Sequence, residues 1–272
     1  MTDQTTERMT DPASTSSGRQ RIRAFIGLPL PAELRASIWS AARRLEAQLG
    51  AGPNAKPEVS AKPDVKWIRK PENLHVTLKF LGQIAVSRLD ALTSALTLAL
   101  ADVSPFEARI AGFGAFPDPA EATVIWAGVI EDAAGSLTAL ADTVARTVIA
   151  VGASDADSGP VPGAPTPHQA GRRSSPPAAV GPFRAHVTVG RCRRPFDARP
   201  ALRSVDSQEF GTFAGAFAVE AVDLYESILA VTAAPGMAQQ AGFQAGVAEG
   251  STYVLRGRAG LRDPRRPMQP SP

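Results

Sequence analysis

Two short phrases hold two of the three histidines of this chain: His75-Val76-Thr77-Leu78 and His186-Val187-Thr188-Val189. The third, His168, stands in a Pro-rich stretch. Side chains of an extended strand alternate between faces, so each His shares a face with its Thr while the apolar residues turn toward a core. The same alternation sets Lys79 beside His75 and Thr77, and Arg184 beside His186 and Thr188. Each strand would then show one imidazole, one hydroxyl and one cation. Two such strands facing each other across a cleft would flank one bound group with imidazoles on opposite sides. That arrangement suits in-line displacement at phosphorus. One His takes a proton from the nucleophile and the other gives one to the leaving oxygen. Imidazole titrates near neutrality and can fill both roles. Hydroxyl and guanidinium donors stabilise the added charge of the transition state. Nothing in this chemistry requires a metal ion.

Other chemistries fit less well. A single His-x-Thr on a strand is an ordinary structural pattern, and Thr is a good strand former; the weight comes from the repetition. Two histidines could ligate zinc, but no third ligand stands at metal-site spacing. No G-x-S-x-G elbow accompanies a serine nucleophile. There is no P-loop, and Gly112-Phe-Gly-Ala-Phe-Pro117 is not a dinucleotide fingerprint. No cofactor is expected.

The elements that must position the two phrases can be read from periodicity. Residues 21–30 read as a strand, with Pro31 at the start of a helix whose Leu34, Ile38, Leu45 and Leu49 share one face. Residues 65–70 and 73–82 read as a strand pair closed by Gly82. A helix from about Ser87 to Ala101 carries Leu89, Leu92, Leu96 and Leu100 on one side. Residues 106–116 and 122–129 read as an antiparallel pair, followed by a helix over 136–149. Three strand-like stretches close the chain: 183–192, 215–229 and 251–258. Strands and helices mix without strict βαβ alternation, so an α+β fold with antiparallel sheet is expected.

The remaining segments read as unstructured. Residues 1–20 are polar and Ser/Thr-rich, 153–182 are rich in Pro, Gly and Ser, and 259–272 form a Pro-broken basic tail. None can bury enough apolar surface to offset its ordering entropy. One domain over 21–258 is expected, with 153–182 as an insert. The net charge is +3, compatible with an anionic ligand but far from a polybasic coat. One cysteine, Cys192, excludes a disulfide framework within the chain. No apolar run approaches the about 18 residues of a membrane span, and the first residues lack an apolar signal-peptide core. A cytoplasmic monomer is expected.

With both phrases read, the chain resembles the 2H phosphoesterases, and within them the RNA 2′,3′-cyclic phosphodiesterases also known as 2′-5′ RNA ligases. The resemblance rests on residues 23–35, on Trp67–Gly82 with its Leu-His-x-Thr-Leu-x-Phe-Leu-Gly run, on 123–129 around Trp126, on 183–191, and on 219–229 with 253–258. It covers nearly all of 21–257. Ala185 stands where the pattern usually has Pro, and the stretches 153–182 and 232–250 exceed its usual loops. The resemblance implies two pseudo-symmetric lobes, each an antiparallel sheet backed by helices, with the active-site cleft between them. It implies His75 as proton donor to the leaving 3′-oxygen and His186 as the base that activates water. Thr77, Thr188 and Arg191 would hold phosphate oxygens, and the partner would be an RNA 3′ end bearing a 2′,3′-cyclic phosphate. Phe25, Trp126 and Tyr225 could stack a base, though Phe25 equally suits a core. A 5′-hydroxyl in place of water would turn the same site into a 2′-5′ ligase. Hydrolysis should dominate, because water is abundant and no ATP site is visible. A non-catalytic RNA or nucleotide binder is the third expectation.

Overall fold

Among the described residues nine strands form one sheet, and its order places the two phrases side by side at the middle. In the computed structural model, residues 20–50, 63–132, 134–153, 183–207, 214–229 and 251–262 are described. The chain runs β1 (Arg21–Pro29), α1 (Ala32–Gly50), β2 (Val65–Trp67), β3 (His75–Ala85), α2 (Leu89–Ala99), β4 (Phe106–Phe116), β5 (Ala122–Ile130) and α3 (Ser136–Ala150). It continues with β6 (His186–Phe196), α4 (Arg199–Ser207), β7 (Ala214–Val219), β8 (Ala221–Leu229) and β9 (Ser251–Gly260). The sheet order is β7-β4-β5-β6-β3-β1-β8-β9, with β2 on β6, and each of these pairings is antiparallel. The fold is α+β, as expected from the mixture of elements.

Two four-stranded halves meet at a narrow seam. One half is β3-β1-β8-β9 and the other β6-β5-β4-β7. They join where Val76 of β3 opposes Val187 of β6. Farther along, β6 leaves β3 and pairs with β2 through Gly190–Cys192. Each half is roofed by helices that bury regularly spaced apolar residues. Helices α2 and α3 pack together, α2 against β9 and α3 against β3. Helices α1 and α4 pack together, and α4 lies against β4. Of the faces expected from spacing, Leu34, Ile38 and Leu45 in α1 and Leu89, Leu92 and Leu96 in α2, with Leu100 just beyond it, are buried, while Leu49 is half-buried; α3 buries Leu137, Leu140, Val144 and Val148. Apolar partners of the two phrases, Val76, Leu78, Val187 and Val189, are buried as well.

Four details differ from expectation. Strand β2 pairs with β6 rather than β3, because Lys70 to Leu74 turn through a 3-10 helix that separates the two. Gly82 does not end β3: it takes a positive φ of 68° within a strand that continues to Ala85. The stretch 215–229 is two strands broken at Glu220, of which β7 joins β4 in one half and β8 joins β1 in the other. Strand β9 runs to Gly260, past the expected boundary at 258, because Ala259 and Leu261 are buried and the Leu261 amide donates to the Glu220 carbonyl at 2.7 Å. Helix α4 is an element that periodicity does not announce. Residues 1–19, 154–182 and 263–272, where unstructured segments are expected, lie outside the described residues.

Candidate active site

The two histidines open β3 and β6 and are held in the same way. His75 Nδ1 lies 2.7 Å from the carbonyl oxygen of Asn73, and His186 Nδ1 lies 2.7 Å from that of Arg184. A carbonyl only accepts, so both Nδ1 atoms carry hydrogen, and each neutral ring keeps its lone pair on Nε2. His75 Nε2 accepts from the Thr77 hydroxyl at 3.0 Å. Asn73 is itself buried and anchored, its Nδ2 donating to the Ser251 carbonyl at 2.6 Å. The seam relates the two phrases by a local two-fold axis. Extending the Val76–Val187 register by one residue sets His75 opposite Thr188 and Thr77 opposite His186.

A bulge in each strand decides which side chains beyond the threonine reach the cleft. Gly27 opposes Thr77, but the next residue of β1 toward its start, Ile26, opposes Lys79, so Leu78 is extra. In β6, Trp126 opposes Thr188 and Ile125 opposes Gly190, so Val189 is extra. An extra residue shifts strand alternation by one. Lys79 therefore pairs with buried Ile26 and does not line the cleft; Phe80 does. By the same shift Arg191, not Gly190, joins Thr188 on the cleft face. The cleft measures about 470 Å³ and brings together His75, Thr77, Thr188, Arg191, Phe80 and Tyr253. His186 lines a second pocket of about 250 Å³ with Arg184, Phe116 and Trp126.

Aromatic side chains back both imidazoles. Phe25 stacks on His75 with centroids 4.5 Å apart and planes 27° apart, and Tyr253 meets His75 edge-on at 5.2 Å. Phe116 meets His186 edge-on at 4.9 Å. Tyr225 stacks on Phe25 at 5.2 Å and lies 6.3 Å from His75, and its hydroxyl donates to Asp223 at 2.8 Å. Asp223 is 1% exposed and also receives Arg258 through two bonds of 2.6 and 2.8 Å. Phe25, 3% exposed, backs His75 and offers no face to a ligand, and half-buried Tyr225 packs beside it. Trp126 sits beside the smaller pocket, packed on Phe116 at 5.2 Å. Sequence reasoning missed Phe80, because only the bulge at Leu78 turns it inward. The positive φ of Gly82 marks a second irregularity just beyond it.

Burial sets the electrostatics. It lowers the His75 pKa from 6.5 to about 4, helped by the charges of Arg191 and His186. His186 is lowered too, chiefly by burial and then by Arg191 and Arg184. Both rings are neutral at pH 7 while the site is empty, and Arg191 is the cation they share. Arg184 does not reach the larger cleft; its guanidinium lies over the Phe116 ring at 5.3 Å. Arg193 and Arg194 are exposed along β6, and half-buried Cys192 opposes Val65. Among the described residues, no three His, Cys, Asp or Glu side chains come together as a metal-binding group, and no helix is long and apolar enough to cross a membrane.

Comparison with known proteins points the same way. The family model for LigT like Phosphoesterase matches residues 28–126. An RNA 2′,3′-cyclic phosphodiesterase of Archaeoglobus fulgidus is 32% identical over 155 residues, which are 57% of this chain and 72% of the relative. One from Methanothermobacter thermautotrophicus is 34% identical over 109 residues, 40% of this chain and 52%, about half, of that relative. The crystal structure of TT0787 of Thermus thermophilus superposes with a TM-score of 0.54 at 20% identity. It covers 89% of this chain and 100% of that one, a likeness of fold.

Proposed function

The chain belongs to the LigT-like phosphoesterases, and from that premise we propose that it hydrolyses 2′,3′-cyclic phosphates at RNA ends to 2′-phosphomonoesters. The observation that carries this reading is the matched pair of imidazoles. Each is fixed through Nδ1–H to a backbone carbonyl, and both feel the charge of Arg191. In-line displacement needs one proton acceptor and one proton donor about a phosphorus atom. His186, neutral because its pKa is depressed, takes a proton from water on Nε2 as the water oxygen bonds to phosphorus. The bond from phosphorus to O3′ breaks, and His75 delivers a proton from Nε2 to that oxygen. His75 must therefore enter the reaction charged. The anionic phosphoryl group supplies the field that raises its pKa, offsetting the burial that lowers it in the empty site. Arg191, Thr77 and Thr188 donate to the non-bridging oxygens and hold the charge of the transition state. The assignment of His75 as acid and His186 as base rests on the family resemblance.

The test is an RNA oligonucleotide ending in a 2′,3′-cyclic phosphate, incubated in EDTA with the wild type, His75→Ala and His186→Ala. The wild type is expected to yield a 2′-phosphate. Each variant should lose about 10²- to 10⁴-fold in turnover, the usual contribution of a positioned acid or base. Turnover that survives either substitution, or that EDTA abolishes, would overturn the two-histidine reading. Joining of a 5′-hydroxyl end in place of hydrolysis would keep the two histidines but change the reaction to ligation.

A further inference from the structure

We propose that Arg23, Ser227 and Tyr253 form a second phosphate site in the cleft. It holds the phosphodiester on the 5′ side of the terminal nucleotide and so selects the end of an RNA chain over a free cyclic nucleotide. The inference rests on reading the cleft as the site of the cyclic phosphate. Three strands bring the trio together. Arg23 stands two residues before Phe25 on β1, Phe25 opposes Tyr225 of β8, and Ser227, two residues further, opposes Tyr253 of β9. Strand alternation turns them to one face. All three line the cleft that holds His75, Thr77, Thr188 and Arg191.

None of the trio is engaged by the protein itself. Among the described residues, no carboxylate pairs with Arg23, and neither the Ser227 nor the Tyr253 hydroxyl has a hydrogen-bond partner. The two carboxylates of β8 are taken, Asp223 by Arg258 and Glu226 by Arg256. Neighbouring polar groups are committed as well, the Tyr225 hydroxyl to Asp223 and the Asn73 amide to the Ser251 carbonyl. Tyr253 feels the charges of both Arg191 and Arg23, so the two guanidiniums lie near one phenol; burial raises its pKa and keeps it a donor. One guanidinium and two hydroxyls are also what Arg191, Thr77 and Thr188 bring to the cyclic phosphate. The second set repeats those donors with no histidine of its own, so it is equipped to hold a phosphate rather than open one. In RNA the next anion beyond the cyclic end is the phosphodiester at O5′ of the same ribose. A free nucleoside cyclic phosphate lacks it. A contact to phosphate carries no sequence information, so the trio distinguishes a chain end from a nucleotide without reading a base.

Calorimetric binding of adenosine 2′,5′-bisphosphate and adenosine 2′-monophosphate to the full chain tests this. The wild type should bind the bisphosphate about tenfold more tightly, the scale of one charge-assisted contact. Arg23→Gln should close that gap, and Arg23→Lys, which keeps the charge, should retain part of it. Turnover gives a second readout. A methyl phosphodiester at O5′ of adenosine 2′,3′-cyclic phosphate should raise kcat/KM in the wild type and not in Arg23→Gln. Equal affinity of the wild type for the two ligands would overturn the second site. So would a gap that survives Arg23→Gln, or a loss in that variant that falls equally on both ligands, as it would if the same donors read the base. Failure of the wild type to open any cyclic phosphate would instead remove the proposed reaction, and the two-ligand comparison would still decide the role of Arg23.

Discussion

His75 and His186 make the same bond through Nδ1 and differ in their surroundings. His75 lies against both Phe25 and Tyr253 and is brought down to about 4, while His186 is lowered beside Phe116 and Arg184. The proposed reaction needs His75 protonated and His186 free. Since kcat/KM reports the free enzyme, its profile should be a bell between these two depressed values, with its maximum below pH 6.5. The kcat profile reports the complex, where the phosphoryl anion raises His75, so its alkaline limb should lie at higher pH. A kcat/KM maximum above 6.5 would show that the empty site does not hold the imidazoles neutral. At this scale the sequence was informative where chemistry is local. Period two put His75 with Thr77, which the 3.0 Å bond between them bears out. It misled on Lys79 and was silent on Phe80, because a bulge leaves no sign in side-chain chemistry. Arg191 came from the family pattern, and the bulge at Val189 supplies its physical reason.

The bulges make β1 and β5 part of the geometry of the candidate site, since a strand keeps an extra residue only if its neighbour accommodates it. Gly27 shows the tolerance. A Cβ there would stand 2.8 Å from the Val76 carbonyl oxygen and 3.3 Å from His75 Cδ2. The first contact is with backbone, so β1 must move away from β3. Gly27→Ala should cost about 1–3 kcal/mol, as overpacking does, and should lower turnover by tilting His75. Chemical denaturation and turnover on the same preparation check this; an unchanged midpoint with unchanged turnover would mean the strands yield freely. Strand identity was readable from alternation, but partner choice was not. Residues 65–70 carry a strand signal that says nothing of β6, over a hundred residues later, as the neighbour of β2. The one break at Glu220 that sends β7 and β8 to opposite halves is equally mute, because both strands have the same pattern.

Across the whole molecule the halves are interleaved rather than serial. α1 follows β1 of one half, yet its Leu34 lies where a Cβ on Gly215 of β7 in the other half would meet it. α3 follows β5 of one half and packs on β3 of the other. Apolar spacing identified the buried faces of α1 and α2 but not the sheet beneath them, which is why the lobes were legible only through resemblance. Interleaving means neither half can unfold while the other keeps its core, so the site and the fold should be lost in one transition. The buried imidazoles then tie stability to pH. The folded protein holds His75 at about 4, whereas the unfolded chain titrates near 6.5. Between these values the unfolded state binds the extra proton, so stability falls as pH drops from 6.5 toward 4. A shift of that size corresponds to about 3 kcal/mol, and His186 adds a loss of the same sign. Asp197, held by Arg199 at about 2, would weaken the fold as pH falls from 3.8 toward that value, a separate window. Urea denaturation at pH 7 and pH 4.5 should show most of this loss in the wild type and a smaller one in His75→Gln, which has nothing to protonate there. Equal slopes in the two proteins would place the acid sensitivity elsewhere and remove the buried, neutral His75 from which the proposed proton cycle starts.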